Sequence, residues 1–276
     1  MNTEELLANP AIQGAIIPFV VALIAALLLR NTRSAGLAIA LGVLAAVTVT
    51  IGWSFESMGS TRKLSILLIA AAVVVAVVPA LVTRHLPALE LVLAAAAAGG
   101  VLWVASGVLR QMENNGPASG FVLTVYALAL VLATSGAQRD DAVRATSGAL
   151  MLGLAAGGVA LLGNSVVNAL WGIAAGAGAG ALLLVQMLRG QAVAPSFTLT
   201  LPVGLVAAAI TAMAILTGGV RWYVLLPLFA VPWAARFLPR RERPVWLEAV
   251  LASLCAFVPA ALALALGWYA QSAPAS

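Results

Sequence analysis

Between Lys63 and Arg84 the chain reads LSILLIAAAVVVAVVPALVT, twenty residues without one acidic, basic or histidine side chain. Runs of this kind recur from end to end, and they limit the fold more than any motif does. About 20 predominantly apolar residues cross the hydrocarbon core of a bilayer as a helix. The runs do not alternate in period two, so they read as helices and not as barrel strands. No water serves the backbone inside a bilayer, and a helix meets that constraint by pairing its peptide groups internally. Charged residues make up 8% of the chain and hydrophobic ones 63%, whereas soluble domains carry about 25% charged residues. The expected fold class is all-α: a polytopic transmembrane helical bundle, with residues 1–276 forming a single integral membrane domain.

Breaking the chain at charge, proline and polar clusters predicts about ten spans: 11–30, 35–54, 64–83, 87–109, 118–136, 145–163, 168–188, 198–217, 220–238 and 245–269. GNSVVN, from Gly163 to Asn168, has to act as a tight hairpin between the sixth and seventh. Lysine and arginine accumulate in short cytoplasmic loops. The loops after the odd-numbered spans hold ten of them, Arg144 included, and the other side holds Arg62, Lys63, Arg110 and Arg221. Both termini are therefore expected outside the cytoplasm. Trp53, Trp171, Trp222 and Trp268 fall at outer ends, and Trp233 and Trp246 flank the ninth loop, as interfacial rings should. In that loop Arg240, Arg241 and Arg243 form the densest cytoplasmic anchor, with Pro239 and Pro244 marking helix ends. The expected setting is the bacterial cytoplasmic (inner) membrane.

The opening MNTEELLANP is acidic and lacks the basic start of a secretory signal, so it reads as mature sequence. The net charge of +5 is scattered singly through short loops. It is topological in character, and no nucleic-acid partner is expected. Five spans on each side of about residue 141 would give halves of opposite orientation, an arrangement of inverted-repeat transporters, although the halves show no residue-level match. Gly153 and Gly157, and likewise Gly172, Gly176 and Gly180, are spaced to share a helix face and let two backbones approach closely.

Ionisable side chains within spans are functional suspects, and few exist. Glu90 and Glu248 each lie about one turn inside a span entering from the cytoplasm, in the similar contexts RHLPALE and RPVWLE. Two readings stand: local capping by the helix dipole and loop arginines, or a shared inner cavity that binds a cation or shuttles a proton. Asn164 and Asn168 read as turn residues, with a polar contact at an outward-facing site as the alternative. Gln13, Thr48, Thr50, Thr124 and Tyr126 are polar positions whose side chains can bond their own helix or a neighbour. Pro18, Pro227 and Pro259 should kink their spans. QRDDAVR, with Asp140 and Asp141, reads as a solvated, self-paired turn.

The single Cys255, single His85 and single Lys63 leave no intramolecular disulfide, bis-histidine haem or phosphate-loop motif. No metal or other cofactor is called for, and catalysis is not indicated. The leading functional expectation is a permease or flippase-like transporter of a neutral or amphipathic solute, since buried charge is too sparse for steep ion coupling. The alternative is a non-catalytic membrane subunit or scaffold, and a lipid-modifying enzyme ranks third. The expected partners are the lipid bilayer and, for the alternative, other membrane subunits or further copies of the chain.

Overall fold

The computed structural model describes residues 9–52, 59–82, 87–112, 116–136, 141–196, 198–239 and 243–272. Within them the chain forms ten helical segments and no strand: α1 Ile12–Leu29, α2 Gly36–Thr50, α3 Ser60–Leu81, α4 Pro87–Gln111, α5 Gly116–Gly136, α6 Ala142–Leu162, α7 Val166–Arg189, α8 Leu201–Leu216, α9 Trp222–Phe237 and α10 Val245–Ser272. Seven of these, all but α2, α8 and α9, are long and apolar enough to cross a membrane. The chain is a multi-pass helical membrane protein.

The three shorter helices modify the ten-span expectation. A helix of 15 or 16 residues, such as α2 or α8, measures about 22–24 Å at 1.5 Å per residue. That is less than the roughly 30 Å hydrocarbon thickness. The mismatch is tolerated for α8 because it does not meet lipid: every residue from Leu201 to Ala214 is buried. Helices α2, α3, α4, α5, α6 and α7 all pack on α8 and surround it. Helix α1 lies outside α2 and α7, while α9 and α10 pack against each other and against α6.

Five helix ends depart from the sequence reading by three or four residues, among them the starts of α3 and α8. Helix α3 begins at Ser60, because Arg62 and Lys63 can continue a helix whose end lies in a polar setting. Helix α8 begins at Leu201 rather than 198: Ser196 and Thr198 bond each other and the local backbone in a turn, and Pro202 sits in the first helical turn. The expected hairpin is three residues long, Gly163 to Ser165, and Asn164 adopts φ 58°, a left-handed conformation that asparagine tolerates. In α1 a π-helical turn, Ile12–Ile16, ends two residues before Pro18. Proline supplies no N–H for the regular ladder, which accounts for a local irregularity there.

The glycine faces bring α6 and α7 into backbone contact. A β-carbon built on Gly172 would lie 2.5 Å from both N and Cα of Gly157, and one on Gly157 would lie 2.8 Å from Ile173 N. Gly153 meets Gly176 in the same way. Gly172→Ala is expected to force the helices apart and lower stability in detergent by about 1–3 kcal/mol. Gly99→Ala adds its methyl into open space and should be neutral or stabilising by up to about 1 kcal/mol. Thermal unfolding of the two purified variants checks this, and equal melting would overturn it.

Candidate functional site

Helices α4, α6, α8 and α10 begin at the same end of the bundle at which α5 and α7 finish. Ten of the twelve buried polar or charged residues among those described gather there: Glu90, Thr134, Ser135, Arg144, Thr146, Ser147, Gln186, Thr198, Thr200 and Glu248; Ser65 and Thr211 are the exceptions. This polar end has three connected parts.

The first is built on Arg144, 6% exposed in the first turn of α6. Its Nε donates to Glu248 Oε1 of α10 at 2.6 Å and lies 2.9 Å from Asp141 Oδ2. Its Nη1 donates to the carbonyl of Leu238, beyond α9, at 2.9 Å. Asp141 is also the N-cap of α6, where its Oδ1 accepts from the amides of Val143 and Arg144. One guanidinium thus ties three helices together, and Ser147 adds a bond from its hydroxyl to the Ala249 carbonyl at 3.3 Å. Arg243 Nη1 faces Glu248 Oε2 at 3.8 Å, and both atoms are buried with no hydrogen-bond partner among the described residues.

The second part hangs the α7–α8 connection on Gln186, which is fully buried. Its Nε2 donates to Thr146 Oγ1 at 3.0 Å, and its Oε1 accepts from the Val193 amide at 3.3 Å. From Gly190, at φ 63°, the described residues before Leu201 form no helix, yet Val193, Thr198, Leu199 and Thr200 are buried. Irregular backbone at such a position is tolerated where protein surrounds it. Gly36 makes room on α2: a β-carbon there would lie 2.8 Å from Leu199 Cα. On the opposite side Thr200 Oγ1 donates to the Thr134 carbonyl of α5 at 3.0 Å.

In the third part Ser135 Oγ lies 2.9 Å from Glu90 Oε1 and 2.9 Å from the Val131 carbonyl, and Glu90 is 3% exposed. The two carboxylates, for which local capping and a shared inner cavity are the two readings, are held by different helices, Glu90 by α5 and Glu248 by α6. Neither lines the surface groove between α6, α7 and α10 or that between α4 and α5. Asn164 is exposed in its turn at the opposite end, and Asn168 lies half-buried in the first turn of α7. Arg240 and Arg241 lie outside the described residues, as does Asp140. Among the described residues no three His, Cys, Asp or Glu side chains converge on a metal-sized site.

Three sequence expectations change. Arg144 is a buried helical residue rather than a loop anchor. Asp141 is paired with it, as the self-paired turn requires, but sits half-buried at the rim of the bundle while its partner is inside. Trp171 is wholly buried, its indole N–H donating to Thr50 Oγ1 at 3.0 Å, so it packs against protein and not the interface. Thr48 and Thr124 bond back to their own helices, while Tyr126 reaches Thr211 Oγ1 across to α8 at 3.4 Å. Gln186 and Ser135 carried no sequence signal beyond being polar near the ends of apolar runs. Arg144 carried one: an Asp three residues before it, in a helix-starting position.

The chain matches no family model and no curated protein sequence.

Breaking a buried ion pair by removing one partner typically costs about 3–5 kcal/mol, whereas replacing both with apolar groups is often close to neutral. Arg144→Met is therefore expected to destabilise by that order, and Arg144→Met/Glu248→Met by clearly less. Denaturant unfolding of the single and double variants checks this; additive losses would show that the pair is not coupled.

Proposed function

We propose that the protein is a ten-span permease or flippase-like transporter of a neutral or amphipathic solute, with both termini outside the cytoplasm of a bacterial inner membrane. The observation that carries this reading is α8. It is short, sealed from lipid by six surrounding helices, and entered through an irregular segment whose last residues, Thr198, Leu199 and Thr200, are buried. Interrupted helices at the centre of a bundle are where transporters commonly form binding sites, since the broken backbone supplies dipole ends and free peptide groups. The polar end then corresponds to the cytoplasmic side: of the arginines assigned there from sequence, Arg30, Arg33, Arg189, Arg236 and Arg243 lie in connections or at helix ends, and Arg144 is buried. Glu90, Ser135 and the hydroxyls of Thr198 and Thr200 are the side chains we assign to the inner mouth of the pathway. The Arg144–Glu248 pair closes the neighbouring wall.

The distribution of residue sizes weighs against the scaffold alternative. On α10 the buried face is small, including Ala249, Ala252, Ala256 and Ala263, while Trp246, Leu254, Phe257 and Leu262 are exposed. Bulky side chains outward suit acyl chains, whereas a helix-docking face is enriched in small residues.

Gentle extraction from the native membrane followed by native mass spectrometry tests the choice. The expected outcome is the chain without other polypeptides, retaining a lipid or small molecule that becomes the first substrate for assay in proteoliposomes. A stoichiometric set of other polypeptides would overturn the transporter reading in favour of the subunit.

A further inference from the structure

At the end of the bundle opposite the polar end, α4 and α5 part to leave a groove of about 610 Å³. Its walls are apolar, with Leu102 and Leu109 on α4 and Phe121 on α5, and Gly116 and Gly120 keep one side low. Phe121 is 71% exposed, so the groove opens toward the surroundings of the bundle. From Leu102 to Arg110 it runs eight residues along α4, about 12 Å at 1.5 Å per residue, close to the depth of one leaflet's hydrocarbon, about half of 30 Å.

Arg110, in the last turn of α4, forms part of the wall. Its guanidinium has no hydrogen bond or ion pair among the described residues. A second cation stands behind the same wall. Lys63 Nζ donates to Ser106 Oγ, itself a groove residue, at 2.9 Å and to the Trp103 carbonyl at 3.3 Å, and lies 5.6 Å from the Trp103 ring centroid. An apolar slot one leaflet deep, with an unpaired guanidinium at its mouth and an ammonium beside it, is complementary to an anionic amphiphile. A cation at the helix end attracts an anionic headgroup, and the slot removes an acyl chain from its neighbours without exposing it to water.

We infer that this groove is a binding site for one anionic phospholipid, with its phosphate on Arg110 and one acyl chain between α4 and α5. The site is independent of the transport reading, because it lies at the other end of the bundle and uses none of the polar-end residues.

The test titrates the full-length protein in neutral detergent with phosphatidylglycerol or phosphatidylcholine of identical acyl chains, and counts bound lipids by native mass spectrometry. One phosphatidylglycerol is expected to bind in preference to phosphatidylcholine. One arginine near a headgroup contributes about 1 kcal/mol, so Arg110→Ala should weaken the first phosphatidylglycerol about fivefold and weaken phosphatidylcholine less, because its choline cation offsets the phosphate, while Arg110→Lys retains the preference. Thr124→Trp, which fills the groove and keeps the charge, should weaken both lipids. Thermal melting of each variant close to that of the parent establishes that the fold is kept. Equal binding of the two lipids by the parent, or a preference that survives Arg110→Ala, would overturn the site. So would water-soluble glycerophosphoglycerol binding as tightly as the lipid, since the acyl groove would then contribute nothing.

Discussion

Within a bilayer, apolar surface gains little by leaving lipid for protein, so helices associate through close packing and a few polar bonds. The rest of this structure depends on how closely α6 and α7 approach. Gly157 against Gly172, and Gly153 against Gly176, place peptide groups of the two helices in direct contact. That contact fixes the wall against which α8 lies and the spacing of Thr146 and Gln186. It also sets the direction in which Arg144 leaves α6. The connection that feeds α8 is hung on Gln186, so its path into the ring follows from the same contact.

Charge is arranged with equal economy. A buried guanidinium left alone would be strongly unfavourable, yet Arg144 meets two carboxylates and a carbonyl within 2.9 Å. The bonds join the start of α6 to the end of α9 and the start of α10, 94 and 104 residues further along the chain. Polar fastening among the described residues is thus densest at one end, with Lys63 bonding Ser106 and Trp103 at the other. At the other end the helices are joined mainly by side-chain fit and by isolated contacts such as Trp171 on Thr50. The two ends of the bundle differ in the kind of force that holds them.

Much of the fold was legible because apolar length is a strong signal: each predicted span corresponds to a helix, most with ends within three residues. Glycine spacing pointed to the α6–α7 contact, although it could not say that the two stripes face each other. What the linear pattern missed was depth. Arg144 follows QRDDAV, which reads as a polar loop, but the Asp141 cap starts the helix early enough to carry the arginine inside. Whether α8 meets lipid was also hidden, since LPVGLVAAAITAMAIL is as apolar as any lipid-facing span. Its position became apparent only from the neighbours that cover it. Glu90 and Glu248 share a local context but are partnered by residues 45 and 104 positions away, and no short-range pattern encodes such partners.

The enclosure of α8 has a consequence for how the molecule responds to its membrane. Hydrophobic mismatch acts where acyl chains touch protein, by tilting helices or deforming the bilayer. The 28 residues of α10 extend about 42 Å and must tilt or protrude in any ordinary bilayer. The 16 residues of α8 feel no such demand. In a thinner or thicker membrane the outer helices α1, α3 and α10 take up the adjustment, while the central helix keeps its geometry. The bundle is therefore built with a lipid-compliant rim around a thickness-blind axis.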